Sequence, residues 1–130
     1  MTLESPKVTI DKSAQELFDF LTKVENFEKL MPENMSKFEM LENDKFLFAL
    51  KGMPEIILQK KEEIAPHKIV LGAAGGKLDF SLTGNITEVT ANKSEVQLVF
   101  SGEFNPMMGM MIKRPISKFI ETLVDNLKNT

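Results

Sequence analysis

The chain has 130 residues, 42% of them hydrophobic and 27% charged, and its 16 basic against 19 acidic side chains give a net charge of -3. That suits one soluble domain over residues 1–130, long enough to bury a core and too short for two. Neither sign of charge clusters, which argues against a nucleic-acid partner, and zero cysteines with a single histidine, His67, exclude disulfides, thiolate catalysis and any two-histidine metal site.

No apolar run reaches the roughly 18 residues of a membrane span, and residues 1–7 do not read as a signal peptide. The expected compartment is the cytoplasm, with no stable membrane insertion. Residues 3–10 alternate Val8 and Ile10 against Lys7 and Thr9, predicting a strand with one buried face, at an edge because of Pro6. Ser13 and Glu16 spell a capping box, and Leu17, Phe18, Phe20, Leu21 and Val24 follow at helical spacing, so a helix is predicted over residues 14–23. A second short helix carries Phe27, Leu30 and Met31 and stops at Pro32.

After Asn34 the apolar period switches from 3.6 to 2. Phe38 and Met40 alternate with Lys37 and Glu39, Asn43 and Asp44 are turn residues, and Phe46, Phe48 and Leu50 make the return strand. Residues 52–54 break the run, residues 55–64 form another strand, and a turn at 65–67 leads into Ile69, Val70 and Leu71. The glycines of residues 72–76 form the next turn rather than a phosphate loop, because no Lys-Ser or Lys-Thr follows and a strand succeeds them. That strand carries Leu78, Phe80, Leu82 and Ile86, and after a turn at 91–93 the last carries Val96, Leu98, Phe100 and Phe104. Finally, residues 105–130 place Met108, Met111, Ile112, Ile116, Phe119, Ile120, Leu123, Val124 and Leu127 on one stripe of a long helix, capped by Asn105 and started by Pro106. Pro115 is expected to kink it, with Gly109 and four nearby methionines loosening its first turns into a mouth for ligand.

One strand, two short helices, six strands and a long helix have one economical solution, an α+β fold in which a curved antiparallel seven-stranded sheet wraps the C-terminal helix. A helix about 10 Å wide cannot fill that concavity alone, so large side chains fill it or a cavity remains. The run Val8-Thr9-Ile10, the segment from Ser13 to Pro32, the meander and the proline-started last helix together resemble the START/polyketide cyclase-like superfamily, whose architecture is the helix grip. The likeness covers nearly the whole chain and looks most like small bacterial members. It implies the fold and, since the superfamily holds carriers, cyclases and chaperone activators, several functions.

The expected cavity lining is Phe46, Phe48, Leu50 and Leu58 from the first strands of the meander, Phe80, Leu82, Leu98 and Phe100 from the last, and Met108, Met111, Ile112 and Phe119 from the helix. Lys60 and Glu62 continue the inward phase of Ile56 and Leu58, so a charge points inward unless a bulge intervenes or the strand overhangs the core. His67 reads as a turn residue, and no catalytic constellation, metal site or cofactor is expected. The reading is a non-enzymatic binder or carrier of a small hydrophobic molecule, a monomer or weak homodimer. Its alternatives are a cyclase or hydratase using the same cavity and a protein-interaction module of the chaperone-activator type.

Overall fold

A computed structural model describes residues 1–33, 35–51, 53, 55–74 and 79–130. Part of the turn expected over residues 72–76, the strand start expected at Leu78, and Gly52 and Pro54 of the earlier break lie outside the described residues. Gly72 itself belongs to a strand, so the break begins later than expected.

The elements are β1 (Thr2–Glu4), β2 (Val8–Ile10), α1 (Ala14–Thr22), a 3₁₀ helix (Val24–Leu30), β3 (Met35–Met40), β4 (Lys45–Leu50), β5 (Ile56–Ile64), β6 (Lys68–Ala73), β7 (Phe80–Thr90), β8 (Lys93–Gly102) and α2 (Pro106–Leu127). They form one antiparallel sheet ordered β1-β8-β7-β6-β5-β4-β3, with β2 also on β8. Among the described residues eight strands therefore replace the expected seven, because the first splits. Leu3 faces Phe100 and Val8 faces Val96, one residue more on the N-terminal side. Ser5 absorbs the extra residue. Its backbone N–H donates to the Leu98 carbonyl and its Oγ accepts the Leu98 N–H, both at 2.9 Å, so a hydroxyl stands in for a ladder carbonyl beside a proline that has no N–H to give.

The Ser13–Glu16 capping box starts α1, and the Asn105 side chain accepts the Met108 N–H at 2.8 Å to start α2. At the β3–β4 turn, Asn43 and Asp44 take positive φ values of 59° and 57°, the left-handed region that Asn and Asp tolerate better than most residues. α1 packs over β6, β7 and β8, while α2 lies against β1, β2, β8 and the 3₁₀ helix. Asn126 ties the last turn of α2 to the 3₁₀ helix by donating to the Leu30 carbonyl at 2.8 Å. Ser94, fully buried, donates to the Lys12 carbonyl and anchors the approach to α1.

The concavity is filled largely by phenylalanine. Phe46 stacks with Phe27, Phe38 and Phe48 at centroid distances of 5.4, 5.5 and 5.9 Å, and Phe48 stacks on Phe119 of α2 at 5.0 Å. At the other side Phe80, Phe100 and Phe104 form a second stack, with Phe104 placed beyond the strand that was expected to contain it.

Candidate functional site

Between α2, the end of the 3₁₀ helix and β4 lies an open cleft of about 350 Å³ lined by Pro32, Glu33, Leu50, Pro115, Lys118, Phe119 and Thr122. Its floor is apolar, for Leu50 and Phe119 are buried, and the Phe119 ring is backed by Phe48. Pro32 ends the 3₁₀ helix, as its missing N–H requires, and Pro115 interrupts the hydrogen-bond ladder of α2. Both prolines line the cleft. Glu33 and Lys118 form the exposed rim, with Thr122 half-buried one turn beyond Lys118 and donating to its carbonyl at 2.9 Å. Among the described residues Lys118 has no ion-pair partner.

Of the expected lining, only Leu50 and Phe119 meet at this cleft. Phe46, Phe48, Leu58, Phe80, Leu82, Leu98, Phe100 and Ile112 are buried as expected, but against one another as core. Within that core the void among Leu21, Phe27, Ile69, Leu71, Leu82, Gly84 and Leu98 measures about 10 Å³, no more than a single water would need. Met108 is only partly buried, and Met111 is 64% exposed, so it lines no cavity. Met107 and Met110 are exposed as well, which corrects the expectation of a methionine-lined mouth: three of the four methionines in the first turns of α2 face solvent, and Met108 packs partly against the core.

Lys60 and Glu62 are also corrected. A bulge between them shifts the register of β5 against β6, and beyond it β5 overhangs the core, leaving Glu62 exposed. Lys60 is half-buried and does not enter the core. Its ammonium donates to the Thr22 carbonyl at 3.1 Å and pairs with Glu63 at 2.6 Å and Asp44 at 3.5 Å. The Glu63 hydrogen bond, aided by both carboxylate charges, raises the Lys60 pKa above the ordinary value of 10.5 against a smaller opposing effect of burial. Lys60 therefore joins the end of α1 to the β3–β4 turn and to its own strand. His67 is exposed at the turn where it was expected.

No family model matches the chain, and no curated protein matches it. Solved structures do. A norcoclaurine synthase point mutant from Thalictrum flavum, in complex with a transition-state analogue, has a TM-score of 0.76 at 9% identity, over 99% of this chain and 92% of that one. A START superfamily protein from Mycobacterium smegmatis has a TM-score of 0.71 at 12% identity, over 98% of this chain and 94% of that one. The fold is that of the START superfamily. A conserved protein from Geobacillus kaustophilus shares it as well, with a TM-score of 0.69 at 12% identity, over 99% of this chain and 93% of that one. Identities this low carry the START fold and no residue roles, so the cleft is read from its own chemistry.

Sequence reasoning missed Pro32, Glu33, Pro115, Lys118 and Thr122 as neighbours of one site. The two prolines were each legible as helix breakers. That both line one gap, Pro32 past the end of the 3₁₀ helix and Pro115 within the unbroken α2, depends on how α2 crosses the 3₁₀ helix, which no local pattern encodes.

Proposed function

We propose that the protein binds a small, largely apolar molecule in the cleft between α2, the 3₁₀ helix and β4, without transforming it. The supporting observation is the cleft's construction. At about 350 Å³ it falls in the range of small-molecule sites, and it joins a buried floor of Leu50 and Phe119 to the lysine at its rim. An apolar body laid on Phe119 gains from desolvation, and an anionic or hydrogen-bond-accepting head reaches Lys118. Norcoclaurine synthase, an enzyme of the same fold, carries a transition-state analogue in its structure, which makes small-molecule binding compatible with the architecture. Enzymatic use has less support in this chain, because Glu33 and Lys118 are exposed and water screens groups so placed.

A second reading has its own observation. Among the described residues, the void in the core beside Leu82 and Gly84 holds only about 10 Å³, which suits an interaction module of this fold better than a carrier with an internal chamber.

Two probes, decanoate and the neutral 1-decanol, separate the readings when titrated against isotopically labelled protein. Amide shifts concentrated at Leu50, Lys118, Phe119 and Thr122, with decanoate binding weakened in Lys118→Glu and decanol binding unchanged, are expected. Shifts scattered over the surface, or none with either probe, would remove the ligand reading and leave the interaction module. Native mass spectrometry of protein purified from its own source then identifies the natural occupant.

A further inference from the structure

Strand β3 ends the sheet: its inner edge pairs with β4, and among the described residues no strand pairs its outer edge. The Leu41 N–H donates to the Lys45 carbonyl, and the register continues as Met40 opposite Phe46, Glu39 opposite Leu47, Phe38 opposite Phe48 and Lys37 opposite Ala49. In an antiparallel ladder hydrogen-bonded pairs alternate, so residues 37, 39 and 41 spend their backbone groups on β4 while Phe38 and Met40 turn theirs outward. Phe38 is only partly buried against the core and Met40 is 41% exposed, which puts apolar side chains beside an open row of donors and acceptors.

We propose that this edge pairs with β3 of a second copy of the chain, antiparallel about a two-fold axis at Phe38. Charge selects both the occupant and the register. With Phe38 opposite Phe38, the two outward backbones bond each other, and Lys37 of each copy stands across from Glu39 of the other in the non-hydrogen-bonded positions, where cross-strand side chains approach most closely. Slipping the register by one hydrogen-bonding step in one direction sets Lys37 against Lys37, and in the other sets Glu39 against Glu39. The strand is therefore complementary to itself in one register and repelled by itself in its neighbours. Such an isologous contact closes on two copies and leaves no free β3 edge for a third. Lys37 also pairs with Glu55 of its own chain at 3.2 Å, and an ammonium with three donors serves both carboxylates. The pairing lengthens the sheet and covers Phe38 and Met40 from their open side. One strand edge is a small interface, so the dimer is weak.

Sedimentation equilibrium from micromolar to millimolar concentration tests this. Wild type is expected to show a reversible monomer–dimer equilibrium. Glu39→Lys, which leaves the Lys37–Glu55 pair untouched, should weaken the dimer about tenfold, as should Lys37→Glu, while the double reversal Lys37→Glu with Glu39→Lys returns the affinity to within about threefold of wild type. Met40→Pro removes an N–H that points away from β4 and should give a folded monomer. If that variant proves unfolded by circular dichroism, the charge reversals at exposed positions decide alone. A wild-type chain that stays monomeric at millimolar concentration overturns the proposal, as does a dimer indifferent to the single reversals or a double reversal that fails to rescue.

Discussion

On β5, Leu58 is buried and Lys60, two positions on, carries its ammonium out to Thr22, Glu63 and Asp44. The four-carbon stem lets a side chain of inward phase take its charge to the edge of the core, where carbonyl and carboxylate oxygens replace water. Lys60→Met should therefore cost about 1 kcal/mol at neutral pH, from the lost hydrogen bonds, with the exposed carboxylates adding little. The sign of the pH dependence follows from the raised pKa. A folded value above the unfolded 10.5 makes the stabilisation complete below that pH, and it is lost as pH rises through the folded value. Urea denaturation at pH 7 and pH 11 should show the gap between wild type and Lys60→Met narrowing at the higher pH; a gap of constant size would mean that the charge contributes nothing. Phe100 is a simpler case. It is 4% exposed and stacked between Phe80 and Phe104, so Phe100→Ala should lower stability by about 3 to 5 kcal/mol, and a loss under about 0.5 kcal/mol would contradict its burial.

Helix α2 has two halves with different surroundings. From Ile116 to Leu127 its stripe is buried in the sheet and the 3₁₀ helix, whereas Met107, Met110 and Met111 face solvent and Pro115 offers no N–H to the Met111 carbonyl. Periodicity assigned Met111 to the buried stripe because a moment identifies a face and not whether anything lies against it. Gly109 weakens the same segment by about 1 kcal/mol relative to Ala. Hydrogen exchange should accordingly be faster at the amides of residues 108–113 than of residues 119–127. Gly109→Ala should narrow the difference, since a Cβ there meets only the Met1 sulfur, at an ordinary 3.9 Å. Uniform protection along α2 would show that the exposed half is held as firmly as the buried one.

For the molecule as a whole, the question between carrier and interaction module turns on whether the cleft takes a ligand. A ligand bound only by the folded state stabilises it by about 2.7 kcal/mol at a hundred times its Kd. Decanoate should then raise the Tm of wild type by several degrees. Thr122→Trp, which sets an indole into the cleft from its half-buried rim, should keep the fold and lose most of that rise. An equal rise in both proteins would place binding elsewhere.

The sequence alone determined the order of helices and strands apart from the split of the first strand, the starts of α1 and α2, the turn at Asn43 and Asp44 and the inward faces of most strands, because capping, turn chemistry and the two apolar periods are local signals read within a few residues. It left open whether phenylalanines or a chamber would occupy the concavity, where Lys60 and Glu62 would point, and which residues would meet around an opening. Those depended on packing between segments far apart in the chain. Phe119 settles against Phe48, a bulge turns the end of β5 out of the core, and Pro32 and Pro115 come to line one cleft, each fixed by the crossing of whole elements rather than by the residues beside it.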